Sequence, residues 1–191
     1  MDLRLFTALE LPPEAKDGIL TVVEDLRSRG TRASWCRPDT IHLTLAFLGD
    51  TDEQEVAAVG DGLRDAAAGV RPFTWRIRGL GAFPSPRRPR VVWAGVDAPE
   101  ELFDLKRRID EALEPLGFRP DRRRFRPHIT LGRIRREGDA PELEKHLAAI
   151  EVPETAIPSD EVFLMKSTLR PGGALHEVLG RFPLAERESS A

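Results

Sequence analysis

The sequence predicts an α+β fold that is bilobal and duplicated: two antiparallel-rich sheets with outer helices around a central cleft. Residues 1–191 are expected to form a single domain of two pseudo-symmetric lobes. Three observations predict it. A short pattern occurs twice, as His42-Leu43-Thr44-Leu45 and, 86 residues later, as His128-Ile129-Thr130-Leu131. Pro13 lies 29 residues before His42, and Pro99 lies 29 residues before His128. Each half then reads strand, proline-started helix, His-x-Thr strand, helix, strand.

The elements follow in order. Leu3 to Leu9 reads as a strand, and Pro12-Pro13-Glu14 opens a helix to about Arg29, because proline suits the first turn. Ile41 to Leu48 is the first motif strand, ended by Gly49-Asp50. Asp52 to Ala68 is helical, with Thr51 as N-cap. Phe73 to Leu80 alternates as a strand does, and Pro84-Ser85-Pro86 punctuates it. The order then restarts: Arg90 to Val96 is a strand, Pro99-Glu100-Glu101 opens a helix to about Leu116, and His128 to Ile134 is the second motif strand. Pro141 to Ile150 is a short helix and Glu161 to Thr168 a strand.

Composition narrows the function classes. Forty per cent hydrophobic and 32% charged residues suit a soluble globular chain with a sizeable core. A net charge of −3 argues against a globally basic nucleic-acid binder, though a local contact stays open. Arg122-Arg123-Arg124-Phe125-Arg126 is such a local basic patch, able either to grip an RNA backbone and stack a base or to be a solvated loop. Cys36 is the only cysteine, which excludes an intrachain disulfide and fits a cytoplasmic setting. The first residues lack a signal peptide's pattern, and no stretch approaches the ~20 apolar residues of a membrane helix. The expectation is a monomer with no membrane association.

The duplicated motif carries the chemistry. Alternate side chains of a strand share a face, so His42 and Thr44 point one way and Leu43 and Leu45 the other; the second copy repeats this. With the aliphatics buried, two imidazoles and two hydroxyls line one cleft. Histidine's ordinary pKa lies near neutrality. One neutral imidazole takes a proton from a nucleophile while a second, protonated, gives one to a leaving group, each role worth ~10²–10⁴ in rate. Displacement at phosphorus suits this layout, since nucleophile and leaving oxygen lie on opposite sides. The hydroxyls would donate to the non-bridging phosphate oxygens.

Other chemistries find little support. There is no His-Glu-x-x-His, no cysteine pair, no phosphate-cradling Gly-x-x-x-x-Gly-Lys and no Gly-x-Ser-x-Gly, so no metal or cofactor is expected. His146, with charged neighbours Glu144 and Lys145 in a predicted helix, reads as a surface residue. His176, after the turn Pro171-Gly172-Gly173, could approach substrate but reads first as part of a solvated loop. Trp35, Phe6 and Phe163 divide between pocket lining and core.

Paired His-x-Thr motifs in a chain of this size and layout resemble the 2H phosphoesterases, and among them the RNA 2′,3′-cyclic phosphodiesterases, also known as RNA 2′-5′ ligases. The segments carrying the resemblance are Arg4 to Leu9, Trp35, Pro38 to Gly49, Val91 to Gly95 and Phe125 to Arg133. The resemblance implies hydrolysis of a 2′,3′-cyclic phosphate at an RNA 3′ end to a 2′-phosphomonoester. It implies that His128 accepts the proton of water and that His42 donates one to the departing 3′ oxygen. Thr44 and Thr130 would hold the phosphate, and Arg133 matches a substrate-contacting arginine. Regular strand parity sets Arg133 on the face away from His128, so this role needs a bulge or a strand ending near Gly132. The family's tyrosine in the last strand is Met165 here, which removes any phenolic contact. The alternatives are a phosphodiesterase on small cyclic nucleotide or ADP-ribose cyclic phosphates, and a non-catalytic RNA-binding module.

Overall fold

The computed structural model describes residues 1–171 and 173–185; Gly172 of the expected Pro171-Gly172-Gly173 turn, and residues 186–191, lie outside them. The chain runs β1 (Asp2–Glu10), α1 (Pro13–Ser28), β2 (Ser34–Trp35), β3 (His42–Asp52), α2 (Val56–Ala67), β4 (Phe73–Ser85) and β5 (Arg88–Asp97). It continues through α3 (Glu100–Leu113), β6 (His128–Arg133), α4 (Leu143–Ala149), β7 (Ala156–Ser159), β8 (Glu161–Arg170) and β9 (Gly173–Pro183). Among the described residues no helix is long and apolar enough to cross a membrane.

Helix formation follows the sequence. α1 starts at a proline whose missing N–H is no loss in a first turn, and buries Ala15, Ile19, Val22, Val23 and Leu26 along one face. α3 does the same from Pro99, burying Leu102, Leu105, Ile109 and Leu113. These stripes cover one face of a curled antiparallel sheet whose order is β7-β4-β5-β6-β3-β1-β8-β9, with β2 added beside β6. The four strands β3, β1, β8 and β9 meet the four strands β6, β5, β4 and β7 at a single residue pair, Leu43 opposite Ile129.

One long strand of each sequence half crosses over. β4 turns back at Ser85–Arg88 to pair with β5, and β8 pairs with β1. The half built on β1 and β3 thus takes β8 and β9 from the second sequence half, the half built on β5 and β6 takes β4 and short β2 from the first, and the two motif-bearing strands lie adjacent at the centre of the sheet.

Some element ends differ from expectation. Gly49 adopts a left-handed φ of 74°, yet β3 continues past it to Asp52, because Leu3 and Asp2 of β1 keep pairing with Thr51 and Asp52. Thr51 is therefore a buried strand residue and not the N-cap. Asp52 caps instead: its carboxylate accepts from the Gln54 N–H at 2.9 Å, and a short 3₁₀ turn precedes α2.

Candidate active site

The junction of β3 and β6 builds the site. Leu43 and Ile129 are fully buried in the core. Alternation therefore turns His42, Thr44, His128 and Thr130, all half-buried, to the opposite face. With Leu43 opposite Ile129, the antiparallel register sets His42 across from Thr130 and Thr44 across from His128. In such a ladder diagonal neighbours have Cα atoms about 7–8 Å apart, which is the relation between the two histidines.

A bulge resolves the parity of Arg133. Thr130 pairs with Trp93 of β5, but Gly132 pairs with the next residue, Val92, so Leu131 is the extra residue on β6. Leu131 and Gly132 are both buried, and exposed Arg133 falls on the face of His128 and Thr130. The first motif does the same: Thr44 pairs with Ala8 and Ala46 with Thr7, which makes Leu45 the extra residue. Phe47 thereby joins the face of His42 and Thr44, 73% exposed. Arg133 and Phe47 hold equivalent places, each five residues after its histidine.

The His128 ring bonds the Arg126 carbonyl at 2.7 Å through Nδ1. A carbonyl only accepts, so Nδ1 carries the hydrogen and, in the neutral ring, Nε2 holds a free lone pair. Phe83 lies edge-on to this ring with centroids 5.0 Å apart, and Trp93 lies 6.5 Å away. Gly81 makes room for the Trp93 indole: a Cβ there would meet the ring at 2.2 Å. Burial pushes the His128 pKa below its ordinary value, and the Arg133 guanidinium adds to this against the Arg126 carbonyl.

His42 Nε2 lies 2.9 Å from the Thr44 hydroxyl, and the ring stacks on Phe6 with centroids 4.7 Å apart. Burial first, then repulsion from His176, pushes its pKa down to about 4. A hydrogen bond to the Thr40 backbone works the other way, while the Lys16 amine adds to the depression. Lys16 itself pairs with Glu10, the cross-strand neighbour of His42.

His176 is the main residue that sequence reasoning misplaced. It sits on β9, opposite Ser167, not in a solvated loop, and its ring lies 5.2 Å from that of His42 and 4.9 Å from Phe6. Arg37 donates to the Ala174 carbonyl at 2.9 Å and tethers this part of β9 to the turn before the first motif. This outer strand carries no buried/exposed alternation that would mark it, and the glycines before it read as a turn. His146 is half-buried on α4 rather than on the surface. Met165 is buried with Phe6, Ala8 and Phe163 in a small apolar cluster on the histidine side of the sheet, so Phe163 is packing. Trp35 lies on Gly132, where a Cβ would meet its ring at 2.7 Å. Burial raises the Cys36 thiol pKa. Among the described residues no group of three or more His, Cys, Asp or Glu side chains is gathered as a metal ion would need.

A curled antiparallel sheet presenting two His-x-Thr strands from one face has the layout of a 2H phosphoesterase. The chain belongs to the LigT-like phosphoesterase family, whose profile matches residues 9–93 and 95–176, one stretch for each motif. It is 35% identical, over 96% of its length and all of the relative's, to the RNA 2′,3′-cyclic phosphodiesterase of Methanothermobacter thermautotrophicus. Its fold is similar to the crystal structure of a Thermus thermophilus protein, with a TM-score of 0.78 and 31% identity, covering 97% of this chain and 100% of that one. It is similar also to E. coli LigT complexed with 3′-AMP, with a TM-score of 0.76 and 27% identity, covering 96% and 99%. The chain is thus an enzyme of the phosphoesterase class.

Proposed function

We propose that this protein opens the 2′,3′-cyclic phosphate at an RNA 3′ end to a 2′-phosphomonoester, using His42 and His128 as acid and base and no metal ion. The observation that carries the reading is the Leu43–Ile129 register, which supports two imidazoles and two hydroxyls acting on one phosphate. The names of the relatives support the substrate class. Residues 1–191 would act as one domain of two pseudo-symmetric lobes, as a monomer in the cytoplasm.

In this reading His128 Nε2 takes a proton from water as its oxygen bonds to phosphorus. The P–O3′ bond breaks on the far side, and O3′ leaves with the proton of His42. Both electron pairs are accounted for: a 3′-hydroxyl and a 2′-phosphate result. Thr44 and Thr130 donate to the non-bridging oxygens, and Arg133 adds a positive charge from the same face. His128, with its lowered pKa, is already neutral at neutral pH and ready as base. His42 is neutral too in the free protein, and an anionic phosphate beside it favours the imidazolium the acid role needs.

The test is turnover of a short RNA ending in a 2′,3′-cyclic phosphate, with EDTA present and the product's phosphate position resolved. The expected product is the 2′-phosphate, with rates reduced ~10²–10⁴-fold in both His42→Gln and His128→Gln. Unchanged rates in both variants, or a 3′-phosphate product, sink the mechanism.

A further inference from the structure

Charge in this chain is strongly segregated. Residues 119–136 hold eight arginines and one carboxylate, Asp121, a net of +7 in a chain of net −3, which leaves −10 for the rest. Ion pairing elsewhere is dense: arginines on the helices meet Asp and Glu three or four residues away, as in Arg27–Glu24 and Arg107–Glu111. Within this segment, among the described residues, only Arg123 has a carboxylate, pairing with Asp121 at 2.8 Å and holding that carboxyl down at about 2. Arg119, Arg122 and Arg124 are exposed and meet no carboxylate among the described residues.

The segment runs into the site through its arginine nearest the second motif: the Arg126 guanidinium lies 6.0 Å from the Phe83 ring, which packs edge-on to His128. The stretch before β6 runs without regular structure into Arg126, whose carbonyl holds His128. Like charges gathered at one place repel, and proteins keep them together only where an anion offsets the cost or where solvent screens them. An RNA 3′ end whose terminal phosphate sits at His128 carries further phosphates one nucleotide after another. A mononucleotide has none to offer.

We infer that Arg119, Arg122 and Arg124 form a surface that grips the backbone phosphates of the RNA strand leading to the cyclic end. The inference rests on the proposed function and narrows its substrate class to strands of several nucleotides. Phe125 is half-buried and packs edge-on to Phe103 at 6.2 Å, so it anchors the loop and does not stack a base. Recognition here is by phosphate, without base preference.

The experiment compares a cyclic 2′,3′-CMP mononucleotide with a ten-nucleotide RNA of the same 3′ terminus, for the parent and the Arg119→Gln/Arg122→Gln/Arg124→Gln variant. All three positions are exposed, and circular dichroism and Tm verify folding. The expected result is a KM for the RNA raised about tenfold at low salt in the variant, with mononucleotide kinetics unchanged. The log–log salt slope for the RNA should flatten by about 2, at roughly 0.7 per single-strand phosphate contact. Equal changes on both substrates, or no change on either, overturn the inference. Should the parent turn over neither substrate, the proposed function fails by itself. Anisotropy binding of a 3′-hydroxyl RNA then decides the surface: salt-sensitive binding lost in the variant keeps it, and binding the variant retains overturns it. Binding to anionic vesicles with no RNA binding overturns it as well.

Discussion

The imidazoles of His42 and His176 lie with centroids 5.2 Å apart at 65°, and both rest on the ring of Phe6. Two imidazolium charges that close in a half-buried corner repel strongly, so the pair titrates as a unit and holds one proton more readily than two. Around it, Asp39 and Glu10 favour a charged His176 and Arg37 opposes it, while Lys16 opposes a charged His42. On β8 and β9, Lys166 and Glu177 neutralise each other at 3.4 Å. His176 is thus a positioning residue: its ring packs on Phe6 beside His42, and its charge makes the His42 proton harder to hold.

Replacing His176 with Phe keeps an aromatic ring against Phe6 and removes the charge. The His42 pKa should then rise from about 4 toward its ordinary value, as followed by ring-proton NMR titration. His176→Ala should give the same rise but also loosen the ring, seen as line broadening. A purely structural role predicts no movement in the Phe variant, and that outcome removes His176 from the electrostatics of the site.

Acid stability follows with a definite sign. The folded-state pKa of His42 lies near 4, below the ~6.5 of an unfolded histidine, so between those values the unfolded chain binds more protons. The stability associated with neutral His42 is therefore present above about pH 6.5 and lost as pH falls toward 4. After allowance for solvent screening at a half-buried ring, the loss is roughly 1–2 kcal/mol between pH 7 and pH 5. Urea midpoints at the two pH values should show that much more acid sensitivity in the parent than in His42→Gln. Equal sensitivity in both proteins contradicts the depressed pKa.

The sequence carried the motif strands and the helices because their signals are local. His42 and Thr44 alternate with aliphatics, and Pro13 and Pro99 mark helix starts. What escaped depends on pairing between distant strands. The extra residues Leu45 and Leu131 exist only relative to β1 and β5, so the arrival of Phe47 and Arg133 on the histidine face is not written in either motif. The crossing of β4 and β8 is likewise a choice of partner, invisible to periodicity. β9 was missed because its residues Ala174 to Leu179 lie half-exposed on an outer strand, where burial does not impose a hydrophobic alternation.

The acid role assigned to His42 leads to a final prediction. A residue with a pKa near 4 carries almost no proton at pH 6, yet the proposed mechanism needs it protonated when the phosphate is bound. The proton must therefore arrive with the ligand. The phosphate of a 2′-phosphomononucleotide, seated between Thr44 and Thr130, would place its negative charge against the ring and raise its pKa through the working range. Calorimetric titrations at pH 6 in two buffers of different ionisation enthalpy should report uptake of about half to one proton per bound ligand. His42→Gln should remove most of that uptake while the ligand still binds through the threonines and Arg133. Binding with no proton uptake in the parent would mean that His42 stays neutral beside the phosphate, and the departing 3′ oxygen would need another donor.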